Sequence, residues 1–387
     1  MERGTDWMTP ELFDPAEEPH KLSELGPGSP KAAAYLRMLA SSNVADLIPN
    51  VETKLLVLQS GGRVFPVTVN DGVQGKSYVC EPYSAYILYA RQELEIIGLR
   101  LVKWAMLPLI WLAAGLLRIA RINRIVHVDN WLLSTNLHGD WNGDDIPAIR
   151  ALLLANYPDH IIAVRSLDHW SCPQLLNQAR GDGWTLFPSR QIWVTDDLQS
   201  QWLPRNNATE DLRKLKRSGL SVEDIDTMSD ADAARIAELY YMLYVGKYSE
   251  LNPVFSARWI QLSCENKLIR YRCARDADGT IQAVAGSLER GGILTPPVVG
   301  YDTAQPQSNG LYRIASWLFC DAALQAGLRL NGSAGASHFK RLRGARPVTE
   351  YSAYFIDHLP AYRRWILKGV ALILNRIAVP IMRRYQL

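Results

Sequence analysis

Three stretches of the 387-residue chain gather residue types that could handle an anionic substrate. The first is Tyr301-Asp302-Thr303-Ala304-Gln305-Pro306-Gln307-Ser308-Asn309-Gly310-Leu311-Tyr312. A strand-like run ends, a polar loop of small residues follows, and a long helical pattern begins. Unpaired N–H groups and the positive end of the dipole at such a helix start suit a phosphate or pyrophosphate. An ordinary Asn- or Ser-capped helix would read the same way. The second stretch is Gly332-Ser333-Ala334-Gly335-Ala336-Ser337-His338-Phe339-Lys340-Arg341-Leu342-Arg343-Gly344. Small residues let a ligand approach the backbone, and Lys340, Arg341 and Arg343 suit an anionic group. A solvated basic turn is the plainer reading. The third is Asp211-Leu212-Arg213-Lys214-Leu215-Lys216-Arg217-Ser218-Gly219-Leu220, a strongly basic helical turn that could equally be a solvated face.

Other chemistries lack their signatures. The chain has no GxSxG, HExxH or GxxxxGK[ST] pattern, and no GxGxxG after a strand. The seven histidines are dispersed, so no metal site is expected. Five cysteines without a CxxC pair read as reduced thiols of a cytosolic protein. The N-terminal residues are acidic, unlike a signal peptide. A net charge of +3 does not by itself argue for nucleic acid. Twelve Trp and 17 Tyr supply a large core, which excludes general disorder. No apolar run reaches the roughly 20 residues of a membrane span.

The elements that must position these residues are legible in outline. Residues 1–43 read as a flexible acidic arm. Lys54–Leu58 and Val64–Val69 flank Ser60-Gly61-Gly62-Arg63, a hairpin signal. Tyr78–Tyr89 reads as extended. Residues 94–122 form an apolar helix with Pro108 inside it, either buried in the core or lying at an interface with basic flanks. Strand, helix, strand, helix and strand then alternate through Val126–Ser134, Ile146–Tyr157, His160–Val164, Pro173–Gly181 and Thr185–Thr195. This closes a first α/β lobe over 44–203. A second lobe, 204–359, repeats that order of element types, with Ile293–Tyr301 as a strand and Gly310–Ala326 as its long helix. Residues 360–387 carry six basic residues and no acidic one. Ile366, Val370, Ile373, Ile377 and Ile381 share one face, the pattern of a basic amphipathic helix on an anionic membrane surface or docked on the protein body.

The three stretches together resemble the second lobe of the Fem-type transferases, members of the GNAT (acyl-CoA N-acyltransferase) superfamily. Lys216-Arg217-Ser218-Gly219-Leu220 matches a basic helix that ends in Ser-Gly before a strand, and Phe339-Lys340 matches a late Phe-Lys pair. The resemblance implies mixed α/β sheets in two tandem GNAT-like lobes, the second active, plus the C-terminal amphipathic helix. It implies transfer of an acyl or aminoacyl group to an amine acceptor. The donor would be a thioester substrate, acyl-CoA or acyl carrier protein, with no permanently bound cofactor. Its arm would lie along Val298–Tyr301, at Val299, and its phosphates at Gln307, Ser308, Asn309 and Gly310, with Arg313 one turn inside the helix. Lys340 would contact a substrate phosphate, aided by Arg341 and Arg343. Glu289 or its competitor Asp302 would accept the amine's proton, and Tyr301, Tyr312 or His338 would protonate the leaving group. The two membrane-seeking segments point to a lipid-like substrate on the inner face of the cytoplasmic membrane. Transfer from aminoacyl-tRNA and a non-catalytic scaffold are the alternatives.

Overall fold

Paired glycines set the tightest turns of the molecule. Gly61-Gly62 and Gly291-Gly292 all have positive φ, the requirement of a two-residue hairpin loop whose twist matches its strands. Around them, a computed structural model describes residues 9–25, 28–72, 76–96 and 100–380. The first lobe runs β1 (Glu11–Phe13), α1 (Pro30–Ala40), α2 (Val44–Leu47), β2 (Lys54–Ser60) and β3 (Arg63–Asp71). Helices α3 (Tyr89–Ile96) and α4 (Arg100–Ile119) follow, then β4 (Arg124–Val128), α5 (Ile146–Asn156), β5 (Ile161–Leu167), α6 (Pro173–Gly181) and β6 (Thr185–Thr195). Helices α7 (Leu198–Gln201) and α8 (Asn206–Arg217) lead to the second lobe. That lobe runs β7 (Ser221–Ile225), α9 (Asp230–Tyr240), α10 (Ala257–Glu265), β8 (Arg270–Arg275), β9 (Ile281–Arg290), β10 (Ile293–Tyr301), α11 (Leu311–Gln325), β11 (Arg329–Asn331), α12 (Ser337–Leu342) and β12 (Arg346–Phe355). Helix α13 (Ala361–Ile373) closes the described chain and continues in a wider π turn, Leu374–Ala378.

The two lobes share one element order, strand-helix-helix-three strands-helix-strand-helix-strand. The difference is an insertion. Between β3 and β4 the first lobe carries α3 and α4, where the second has only Gly291-Gly292 between β9 and β10. All twelve strands form one mixed sheet, ordered β1-β2-β3-β4-β5-β12-β6-β11-β10-β9-β8-β7. The order is nearly palindromic because the lobes exchange their last strands. β12 pairs with β5 of the first lobe, β6 with β11 of the second, and β6 and β12 pair with each other at the join. Among the described residues, only β4–β5 and β10–β11 are parallel. This is a mixed α/β architecture of two lobes that share one element order, as expected from the sequence.

Alternation along the strands gives each sheet face its own core. One face is covered by α5 and α6 over Leu56, Phe65, Val126 and Ile162, and by α11 over Ala283, Leu294 and Val299. On the other, α1, α9 and α10 pack on Val57, Val284 and Val298, while α4 and α13 pack on Ile125, Ile161, Phe187 and Tyr354. Two expectations need correction. The flexible arm is, from Thr9 onward apart from residues 26–27, largely part of the fold: β1 adds to the sheet, and Tyr35 of α1 stacks on Trp131 at 4.7 Å. Tyr78–Tyr89 is not extended; it forms a turn, a π turn at Ser84–Leu88 and the start of α3. The domain boundary at residue 44 therefore moves back to β1.

Candidate functional site

β10 and β11 pair only at Ile293↔Arg329 and Leu294↔Leu330, although β10 continues to Tyr301. The sequence explains the parting. Pro296-Pro297 lacks N–H groups for a ladder and coincides with a register shift against β9. Gly300 lets α9 press on the strand, since a Cβ there would stand 2.7 Å from the Leu239 carbonyl carbon. Among the described residues, no backbone hydrogen bond joins Thr295–Tyr301 to Gly332–Ala336. The expected arm residue Val299 lies on this unpaired run, buried on the α11 side.

At the end of the parted strand, Gln307, Ser308 and Asn309 form an exposed 3₁₀ turn, and Gly310 takes φ +70° as the N-cap of α11. The first turn of α11 carries no acidic residue. Lys214 of α8 lies over Gly310, where a Cβ would be 2.9 Å from its Cε. Arg313 and Arg343 are already engaged. Arg313 Nε donates to Asp211 Oδ1 at 2.6 Å, and Arg343 donates to both Asp211 oxygens at 2.6 and 2.8 Å. Asp211 is buried, so this trio pins α8, α11 and the end of α12 together rather than offering free cations to a ligand. Sequence reasoning placed both arginines on a substrate; the buried carboxylate between them is why they are not.

Lys340 is corrected in the same sense. It is half-buried, and its Nζ donates to Gly332 O, Ser333 O and Ala334 O at 2.6, 3.2 and 2.7 Å. An ammonium has three donors, and all three go to the protein's own backbone. Burial, with Arg190 nearby, pushes this amine down to about 7. Lys340 thus holds the backbone that borders the parting. His338 and Arg341 are exposed on α12 and contact each other at 3.2 Å.

The remaining acid–base candidates separate. Tyr301 stands at the parting; its hydroxyl accepts from Lys247 Nζ at 3.2 Å, and its ring lies 5.9 Å from Tyr312. Tyr312 lies 4.7 Å from Phe339, and burial raises its phenol, which keeps it a neutral donor. Asp302 is tied up in an ion pair with Arg235 at 2.9 Å and in the turn to Ala304 N. Glu289 pairs with Arg270 at 3.1 Å and sits beside Leu294, at the hairpin end. Tyr301 lies seven residues further along β10, about 23 Å at 3.3 Å per residue. The structure does not bring Glu289 to Tyr301.

What the structure does bring to the join was not singled out in the sequence. Arg190 of β6 and Glu350 of β12 are cross-strand partners, with Nε–Oε1 at 2.9 Å. Arg190 Nη2 also donates to Ser134 O and Thr135 Oγ1 at 2.5 and 2.7 Å. Half-buried Arg165 of β5 donates through Nη1 to Val79 O and Asn130 Oδ1 at 2.8 and 3.0 Å, with Arg190 and Glu350 in its field. Among the described residues no carboxylate lies within 4.0 Å of Arg165. Tyr78 and Tyr244 join this cluster, both within the field of Arg190. Two arginines against one glutamate leave this cluster with an excess of positive charge. A lone arginine inside the apolar run Ile161–Leu167 was the signal available in the sequence.

In the first lobe the corresponding parting is stitched shut. β4 and β5 pair as far as Val128↔Val164. Beyond it, buried His138 bridges Asp129 Oδ2 and Arg165 O, each at 2.8 Å, and Asn136 N donates to Ser166 Oγ at 3.1 Å. The nearby helix start of α5 is acidic, with Asp140, Asp144 and Asp145 before it.

No family model and no curated protein matches the chain. Solved structures do show similarity at low identity. L-PGS from Bacillus licheniformis is 12% identical, with a TM-score of 0.44 over 58% of this chain and 77% of that one. FemX is 8% identical, with a TM-score of 0.43 over 58% and 80%. A tandem GNAT protein from the clavulanic acid biosynthesis pathway is 13% identical, with a TM-score of 0.40 over 91% and 99%.

Proposed function

We propose that the second lobe transfers an acyl group from a thioester to an amine that also carries an anionic group. The observation that carries this reading is the parting of β10 from β11 beside a helix start whose first turn has no acidic residue of its own. A thioester's phosphates fit Gln307–Gly310 beside Lys214, and its arm fits the unpaired edge of Thr295–Tyr301. The unpaired N–H groups of that edge would hold the carbonyl oxygen as it becomes an oxyanion.

The amine lone pair forms the C–N bond, the C–S bond breaks, and the thiolate leaves with the proton that the amine gives up. Tyr301 or Tyr312 supplies a hydroxyl at the leaving group. Glu350, held by Arg190, would steer the acceptor's ammonium and take the proton whose loss frees the amine lone pair. Arg165 would bind the acceptor's carboxylate or phosphate, because no carboxylate among the described residues pairs with its guanidinium within 4.0 Å.

A second reading keeps the site and changes the donor. Lys216 and Arg217 are exposed on α8, the helix whose Lys214 lies over Gly310, and would also suit aminoacyl-tRNA. Thiol release from acetyl-CoA, palmitoyl-CoA and acylated carrier protein, assayed with a panel of amino acids and amino phosphates, separates the two. Release that requires the amine, and an acceptor KM raised about 10- to 100-fold by Arg165→Ala, supports the proposal. Inertness toward every thioester with salt-sensitive tRNA binding favours the second reading. Inertness toward both leaves a scaffold.

A further inference from the structure

Helices α4 and α13 lie against each other and against the sheet face that holds the arginine–glutamate cluster. Their inner sides, Ala114, Leu117 and Ala120 on α4 and Leu367, Val370 and Ala371 on α13, join one buried cluster with Phe187 and Tyr354. Buried Arg363 of α13 clamps the pair by donating to Ala120 O at 2.8 Å. Their outer sides are apolar as well. Of the fourteen large apolar side chains exposed among the described residues, nine sit on these two helices and the turn after α13. Trp111 is 59% exposed, Leu112 62% and Trp365 77%. Such concentration exceeds what scattered surface hydrophobics explain. It departs from the sequence expectation, since Ile366 and Val370 face the body while Ile373 and Ile377 face out.

The two segments that build this face, Arg100–Asn123 and Ala361–Pro380, carry basic residues and no acidic one. Arg118, Arg121, Arg364, Lys368 and Arg376 border the apolar side chains, and of these Lys368 is paired, to Asp357 at 2.7 Å. At the foot of α4 a pocket of about 240 Å³ is lined by Arg118, Arg121 and Arg124 together with Asn123, Gly72 and Asp71. Arg124 Nε is buried there with no hydrogen-bond partner. No helix among the described residues is long and apolar enough to cross a membrane. Apolar side chains at the centre and cations around them fit a surface that is apolar beneath and anionic on top.

We infer that α4 and α13 form a two-helix platform that docks flat on an anionic phospholipid surface. The insertion that supplies α4 replaces a two-residue turn of the other lobe, so joining the two strands does not require it. Tyr86 ties the platform to the cluster, since its ring packs on Phe187 at 5.9 Å and its hydroxyl meets Ser189 of β6 at 3.4 Å. Docking would set the cluster beside the lipid. Resting on the transfer reading above, it makes the preferred acceptor or product a lipid-borne molecule.

Vesicle sedimentation of the full chain tests the platform apart from the chemistry. Phosphatidylcholine vesicles with and without about one third phosphatidylglycerol are the probes. The expected result is sedimentation with the anionic vesicles, weakened by salt and reduced at least about tenfold in Trp111→Glu/Trp365→Glu with the melting temperature retained. Arg118→Glu/Arg121→Glu should lose the preference for phosphatidylglycerol, and free inorganic phosphate should not compete. Protein that stays in the supernatant, or a double tryptophan variant that binds as the parent does, overturns the inference. So does a concentration-dependent dimer broken by the same tryptophan variants, which would make a second copy the occupant. Turnover of a water-soluble acceptor by the tryptophan variant tells failure of docking from failure of the transferase reading.

Discussion

The two lobes run through the same elements, yet each has spent its parted parallel strands differently. In the first lobe Asp129 is buried and receives Trp131 Nε1 and His138, with Arg290 alongside, and the loop it anchors bonds to the β5 backbone. In the second lobe the buried aspartate, Asp211, lies behind the helix start and fastens α8 to α11 and α12. One aspartate fills the gap between strands, and the other builds the wall beside it and leaves the gap unpaired. Duplication of a fold therefore does not duplicate a site; where the buried charge sits decides which copy stays open.

The comparison can be broken at its pins. Asp129→Ala and Asp211→Ala each strand buried cationic or polar partners, and each should cost about 3–5 kcal/mol by denaturant titration. Loss of less than about 1 kcal/mol at either would mean that the pin is not what holds that lobe. Lys340→Met removes the anchor of Gly332–Ala334 and should lower kcat on the order of 100-fold with little change in donor KM. An unchanged kcat would take the β11 side of the parting out of the chemistry.

Gly310→Ala sharpens the comparison at the helix starts. The added methyl must displace Lys214 and adopt a left-handed φ, so donor KM should rise about tenfold. Asp144→Asn at the acidic start in the first lobe should leave that KM alone.

A separate effect is expected on pH dependence. Lys340 titrates at about 7 when folded, below the usual lysine value of 10.5. Between those values the unfolded chain binds the extra proton, so stability should rise with pH from about 7 toward 10. Below pH 7 both states are protonated and the contribution is lost. Lys340→Met should flatten this part of the stability profile, and an unchanged slope would assign it to another group.

Much of the framework was legible because it is local. Pro173–Gly181, Thr185–Thr195 and Ile293–Tyr301 were read to the residue, since proline, glycine and β-branched runs mark their own ends. The duplicated order of elements was also visible. Helix α1 was missed because the Pro- and Gly-rich sequence before Lys31 masked an alanine-rich helix whose stability comes from tertiary packing, on Trp131 and on both lobes. Tyr78–Tyr89 misled because its aromatics favour strands in isolation. The arginine–glutamate cluster was hidden for a different reason. Arg165, Arg190 and Glu350 sit on three strands far apart in sequence, and they meet only because the lobes exchange β6 and β12. No spacing along the chain encodes that exchange.

Hydrogen exchange with and without a thioester donor, palmitoyl-CoA first and acylated carrier protein second, tests the central claim most directly. The account predicts slower exchange in peptides covering Thr295–Tyr301 and Gln307–Tyr312, and no change across Val128–His138. Protection that appears in the first lobe instead, or in neither lobe with either donor, would contradict it.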